Sequence, residues 1–130
     1  MVVATGADIA EIERVERALG AGHGDRFRDR VYTPGEQRYC EGRRRGRAQS
    51  YAARFAAKEA VMKALGVGWG RRAGWTDIEV VRAPGGPPRI ELHGAARETA
   101  ASLGITRWSL SLTHAAGLAL AFVVAERHSG

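Results

Sequence analysis

The residues with chemistry to offer cluster in one short run, Ala56-Ala57-Lys58-Glu59-Ala60-Val61-Met62-Lys63-Ala64-Leu65-Gly66. Lys58 and Lys63 are the chain's two lysines; every other basic residue is arginine. An ammonium is a compact charge that meets one phosphate oxygen, whereas a guanidinium is a planar fork. A site that requires an ammonium would explain the choice. Plain helix support, Glu59 with Lys63 at i,i+4 and Arg54 close to Lys58, explains it as well. Asp8 follows Gly6 at the end of an apolar N-terminal stretch. If the helix carrying Glu59 crosses the sheet, Asp8 and Glu59 converge. Two carboxylates plus substrate phosphate oxygens commonly hold Mg²⁺. Taken singly, Asp8 also reads as a helix N-cap and Glu59 as a surface ion pair. His114 ends an alternating segment on the face of Trp108, Leu110 and Leu112, as an edge residue or as a contact for phosphate or adenine. Cys40 reads as a small core residue.

These side chains need a frame of strands and helices. Residues 2–6 read as a short strand and residues 9–19 as a helix, with Ile9, Ile12, Val15 and Leu19 on one face; Asp8 then falls at the strand-to-helix junction. Residues 27–31 form a helical turn. Thr33-Pro34-Gly35-Glu36 is a capping-box start for a helix that ends near Gly42, and Arg43, Arg44, Arg45 and Arg47 make a basic loop. Residues 48–65 are an alanine-rich helix stopped by Gly66, with Tyr51, Phe55, Met62 and Leu65 near one stripe. The glycine-rich loop Gly66-Val67-Gly68-Trp69-Gly70 follows. Ile78 and Val80, then Ile90 and Leu92, alternate around a Pro/Gly turn and predict a hairpin. Residues 95–103 are a helix closed by Gly104, and residues 108–113 and 118–124 are strands joined at Gly117. The expected class is α+β, a small antiparallel sheet packed around one long helix, in a single domain over residues 1–130.

The 130 residues carry 20 Lys plus Arg against 14 Asp plus Glu, a formal charge of +6. That balance favours an anionic partner. No run of about 18 apolar residues suggests a membrane span, and the N-terminus lacks a basic region ahead of an apolar stretch. With one cysteine, a cytoplasmic location is expected. No Walker A motif, dinucleotide fingerprint, zinc spacing or nucleophile elbow occurs. A basic nucleic-acid-binding module is the competing reading, but Arg43–Arg47 lacks interleaved aromatics and no helix-turn-helix or RNP pattern accompanies it. A catalytically inactive interaction subunit is the other.

Three blocks together resemble the holo-acyl-carrier-protein synthase family, the short class of 4′-phosphopantetheinyl transferases. They are Gly6-Ala7-Asp8-Ile9 with Ile12 and Arg14; residues 53–66 followed by Trp75-Thr76-Asp77-Ile78-Glu79-Val80; and Ser109-Leu110-Ser111-Leu112-Thr113-His114 with the closing apolar strand. The middle block is the most specific, and the resemblance covers nearly the whole chain. It implies transfer of the 4′-phosphopantetheine arm of coenzyme A to a serine of an apo acyl carrier protein, with adenosine 3′,5′-bisphosphate released. The nucleophile then belongs to the partner, in keeping with a chain that offers acids, a lysine and arginines.

By the same resemblance, Asp8 and Glu59 match the Mg²⁺ ligands, with Mn²⁺ an alternative, and Lys63 matches the phosphate-contacting lysine. Replacing Lys63 with Arg is therefore expected to hurt, while Lys58 is expected to be helix support. Glu59 or a metal-linked water would accept the serine proton. Arg54, Thr113 and His114 match positions around the adenosine and 3′-phosphate, and Gly66 and Gly68 would let backbone approach coenzyme A. Arg14 and Arg26 match the face that receives the carrier's acidic helix, extended by Arg17, Arg28 and Arg30. Many relatives carry a polar residue directly after the histidine, where this chain has Ala115. The family fold is a homotrimer with interfacial active sites, so Asp8, Glu59 and Lys63 would face Arg54 and His114 of a neighbour. Neither nucleic acid nor membrane is expected as a partner.

Overall fold

A computed structural model describes residues 1–68 and 70–128; Trp69, within the glycine-rich loop, lies outside the described residues. In chain order the elements are β1 (Val2–Glu11), α1 (Ile12–Gly20), α2 (Gly24–Val31), α3 (Pro34–Glu41), α4 (Arg47–Leu65), β2 (Ile78–Arg82), β3 (Pro88–Leu92), α5 (Gly94–Ser102), β4 (Arg107–Ala115) and β5 (Leu118–Glu126), with a 3₁₀ turn over Trp75–Asp77. Two antiparallel sheets form where one was expected: β1-β5-β4, and the separate hairpin β2-β3.

The first correction concerns the N-terminus. The strand does not stop at Gly6. It runs to Glu11, because β5 pairs with it as far as Glu11 opposite Leu118. The helix starts at Ile12, and Ile9, expected on its apolar face, is 58% exposed on the strand. Asp8 therefore sits inside β1, opposite Ala121, and Glu11 occupies the N-cap of α1. The 9-12-15-19 spacing was helical by coincidence at its first member. Ladder bonds to β5 outweigh one residue of helical periodicity.

Helix α4 forms the centre of the core. Gly66, at φ 72°, closes it by donating its N–H to the Met62 and Lys63 carbonyls, a backbone conformation that favours glycine. Arg47 belongs to this helix rather than to the basic loop. The expected single stripe of Tyr51, Phe55, Met62 and Leu65 understates its burial: Ala52, Ala56, Ala57, Ala60, Val61 and Ala64 are buried too, while Phe55 is half-buried and stacks on Trp75 with ring centroids 5.0 Å apart. The small residues allow close approach to the sheet. The inner face of β5 presents Ala119, Ala121, Val123 and Ala125, all buried. In β1 a Cβ added at Gly6 would lie 1.9 Å from the Ala60 carbonyl oxygen. The β4–β5 hairpin closes through Ala116 and Gly117 with φ 54° and 76°, the backbone of a type I′ turn.

The second correction concerns Lys58. It is not surface helix support but fully buried. Its ammonium donates to Glu36 Oε1 at 2.7 Å, to the Trp75 carbonyl at 3.1 Å and to the Ile78 carbonyl. Glu36, also fully buried, accepts from the Thr33 backbone N–H at 2.9 Å and the Val80 N–H at 2.8 Å. The capping box expected at Thr33 is present, and its glutamate does a second job. The Thr33 hydroxyl donates to Glu79 Oε2 at 2.7 Å, so the bonds run on into the hairpin. A charged pair is tolerated in this interior because both of its members are held by further hydrogen bonds.

Candidate active site

Asp8 lies on the face of β1 that meets α4, since its cross-strand partner Ala121 is buried on that face. Its carboxylate accepts from Lys63 Nζ at 2.9 Å, and the same ammonium donates to the Ala7 carbonyl at 3.1 Å. The Lys63 side chain is 56% exposed and that of Asp8 18%. Asp8, by hydrogen bond and charge, with Glu59 adding its own charge, raises the Lys63 pKa above its ordinary 10.5. The ammonium is therefore a fixed positive charge at neutral pH. Sequence spacing pairs Lys63 with Glu59, but the tighter contact comes from the other element. Asp8, Glu59 and Lys63 thus gather at one side of α4. Two hard carboxylate donors beside an open edge suit a divalent ion such as Mg²⁺, which keeps most of its coordination for water and phosphate.

A second group lies elsewhere. Arg54, Thr113 and His114 line a cleft of about 180 Å³ together with Tyr39, Arg43 and Arg82. Arg54 is only 4% exposed; its guanidinium sits 4.1 Å from the Tyr39 ring centroid, and its Nε has no hydrogen-bond partner. A buried, incompletely satisfied guanidinium in a cleft with two more arginines is a standing demand for an anion. Tyr39, Arg43 and Arg82 escaped the sequence reading. Arg43 was grouped with a surface run, and Arg82 reaches the cleft only because the β2–β3 hairpin folds against α3.

The two groups do not share one cleft within a chain. Arg54 and Lys63 are nine residues apart on α4, two and a half turns, so they point to opposite sides. The strand order agrees, because β1 with Asp8 and β4 with His114 are the two outer strands around β5. Gly66 is accounted for as the helix stop. A Cβ at Gly68 would meet nothing within 4 Å, so internal packing does not require glycine there.

The arginines of α1 and α2 divide by environment. Arg14 borders a pocket of about 370 Å³ lined by Ile9, Val15, Ala18, Phe27 and Phe55. Among the described residues, Arg14, Arg26 and Arg30 have no ion-pair partner, whereas Arg17 pairs with Glu13 at 3.4 Å and Arg28 with Asp25 at 3.5 Å. Glu79, Glu91 and His93 form another cluster, with ligand atoms all within 4.8 Å of one another. Its imidazole makes it a poorer match for Mg²⁺ than the paired carboxylates. Cys40 is buried as expected, and burial pushes its thiol up to about 12, so it is no nucleophile. No helix among the described residues is long and apolar enough to cross a membrane.

Known proteins resemble this chain in sequence and in fold. Residues 4–123 match the family described as the 4′-phosphopantetheinyl transferase superfamily. The holo-[acyl-carrier-protein] synthase of Solibacter usitatus is 47% identical over 126 residues, covering 97% of this chain and 99% of that protein. That of Moorella thermoacetica is 50% identical over 121 residues, covering 93% and 91%. The crystal structure of the Neisseria meningitidis holo-[acyl-carrier-protein] synthase superposes with a TM-score of 0.86 at 32% identity, covering 98% of this chain and 100% of that one. The Helicobacter pylori enzyme, solved in complex with coenzyme A, gives 0.80 at 34% identity, covering 94% and 99%. The chain belongs to the 4′-phosphopantetheinyl transferase superfamily, within its holo-acyl-carrier-protein synthases, and is an enzyme of that kind.

Proposed function

We propose that this enzyme, acting as one domain over residues 1–130, transfers the 4′-phosphopantetheine arm of coenzyme A to a serine hydroxyl of an apo acyl carrier protein, releasing adenosine 3′,5′-bisphosphate. The observation that carries this reading is the Asp8–Lys63 contact beside Glu59, two carboxylates and a fixed ammonium with no nucleophile among them. Asp8 and Glu59 would hold Mg²⁺ or Mn²⁺, which when bound supplies charge neutralisation at the pyrophosphate. Lys63 stays protonated and orients a phosphate oxygen. The serine oxygen attacks the β-phosphorus as the bond to the bridging oxygen breaks, and the serine proton passes to Glu59 or to a water. Ala115 contributes no polar group after His114. Most of the rate then comes from positioning and charge.

Arg54, Thr113 and His114 receive the adenosine and its 3′-phosphate, with the unsatisfied Arg54 Nε as the anion contact. Gly66 and Gly68 leave space for the cofactor's backbone contacts. Because the two groups point away from each other, a complete site takes one group from each of two neighbouring chains in a homotrimer. Ile9 at 58% exposure and Phe122 at 48% on the outer face of β1 and β5 support such an assembly. Arg14 and Arg26, without an ion-pair partner among the described residues and close to the apolar pocket with Phe27 and Phe55, receive an acidic helix of the carrier, with Arg30 and, more weakly, the internally paired Arg17 and Arg28 at its margin.

The test is direct. The protein is mixed with apo acyl carrier protein, coenzyme A and Mg²⁺, and the carrier is weighed by mass spectrometry. A gain of one phosphopantetheine is expected. No gain with any divalent metal refutes the reading, and carrier binding without a mass gain identifies a docking subunit instead.

A further inference from the structure

Helix α4 must hold Glu59 against Asp8, a residue of another element, yet the surface it turns to the sheet is made largely of alanines and is smooth. Alanine packing sets how closely a helix approaches a sheet but resists sliding and rotation weakly, because no long side chain interlocks. Gly6 against Ala60 fixes one point of closest approach. The other fixed point is Lys58, directly before Glu59 in sequence. Its ammonium makes three directional bonds, to Glu36 of α3, to the Trp75 carbonyl in the 3₁₀ turn and to the Ile78 carbonyl opening β2. Glu36 is itself held by the Thr33 and Val80 N–H groups. Four elements, α3, α4, the 3₁₀ turn and β2, meet at this pair, and both side chains are fully buried. An apolar pair of similar volume would serve stability equally well or better. Directional bonding is what such a pair cannot supply.

We propose that Lys58, through its buried pair with Glu36, is a positioning residue that sets the rotation and axial register of α4 and so delivers Glu59 to the Asp8–Lys63 cluster. The inference rests on the reading of Glu59 as a metal ligand. Glu36 belongs to this device as its acceptor. Fully buried, the pair does not touch substrate.

The test compares wild type, Glu59→Gln, Glu36→Gln and the charge-free double variant Glu36→Gln/Lys58→Met. Each is followed by thermal unfolding, by Mn²⁺ binding read from the electron paramagnetic resonance signal of the free ion, and by transfer kinetics. The double variant avoids leaving Glu36 buried and unpaired, and Glu36→Gln is nearly isosteric. The expected result is cooperative unfolding near the wild-type temperature for the double variant, and a lowered midpoint for Glu36→Gln, which leaves Lys58 buried without its carboxylate. In the double variant Mn²⁺ affinity should be weakened roughly 10- to 100-fold, the range known for groups that orient a metal ligand. kcat should fall with it while the KM for coenzyme A stays within about twofold. Wild-type Mn²⁺ affinity and kcat in the folded double variant would overturn the proposal and leave the pair merely structural. Loss of cooperative unfolding in both variants would overturn it too, since the pair would then make the fold rather than place Glu59. If wild type binds no Mn²⁺, or Glu59→Gln binds it equally well, the reading of Glu59 itself fails, and this role for Lys58 goes with it.

Discussion

Lys58 and Lys63 lie five residues apart on one helix, and each donates to a carboxylate, at 2.7 and 2.9 Å. Their surroundings separate them completely. Burial drives the Lys58 pKa down against the pairing with Glu36 and the weaker pull of Glu79, whereas the contacts of Lys63 with Asp8 raise its pKa with almost no burial to oppose them. A buried pair cannot exchange partners without exposing an uncompensated charge. An exposed pair opens cheaply and can release its carboxylate to a metal and its ammonium to a phosphate. Similar contact distances thus mean architecture in one place and an accessible pair in the other. A short ion pair is informative only together with its burial.

The sharpest way to break this comparison is Lys58→Ala. It should cost about 3–5 kcal/mol in urea unfolding, the range for removing one partner of a buried pair, while Lys63→Ala should leave the urea midpoint unchanged. Equal midpoints for the two variants would erase the distinction. Next come Asp8→Ala and Glu59→Ala, each expected to lower kcat for carrier modification by roughly 10²–10³-fold, the scale of losing one charge-stabilising group. Their thermal unfolding should be close to wild type. A stability loss that accounted for the whole rate loss would place them with Lys58 instead.

Gly6→Ala probes the sheet side of the same helix. Its Cβ meets the backbone of Ala60, so a loss of about 1–3 kcal/mol is expected, and a neutral result would show that α4 slides freely. Arg14→Glu should raise the KM for carrier protein several-fold and hardly change that for coenzyme A; equal changes would remove Arg14 from the docking face. The smallest effect concerns pH at the far end of the buried network. Burial pushes Glu79 up, but hydrogen bonds from Thr33 and His93 outweigh it and hold the carboxyl below 4.5. A depressed carboxylate contributes stability above its unfolded pKa and loses it as pH falls through the folded one. Acidification below pH 4.5 should therefore lower the wild-type unfolding temperature more than that of Glu79→Gln, and parallel curves would exclude this contribution.

Much of the frame was legible along the chain. Local rules place α3 through its capping box, α4 through alanine content and Gly66, and the β2–β3 and β4–β5 hairpins through alternation and turn residues. The expectations went wrong where a distant partner decides. The extension of β1 to Glu11 depends on β5, more than a hundred residues later, and Ile9 looked helical until that strand was paired. Lys58 and Lys63 look alike in sequence because i,i+4 arithmetic sees only their own helix. What buries one of them is Glu36 with the carbonyls of Trp75 and Ile78, all on other elements.

The sequence by itself determined which chemistry was available: two carboxylates, two ammonium groups, an arginine surplus and no nucleophile, in blocks that resemble a phosphopantetheinyl transferase. Residue types and local spacing suffice for that, since both follow from covalent order. Only the tertiary structure decided that Lys63 pairs with Asp8, that Lys58 belongs to the core, and that the Arg54–His114 cleft lies across α4 from the carboxylates. Those outcomes depend on which surfaces of the helix are covered and by what, and burial is a property of the packed whole.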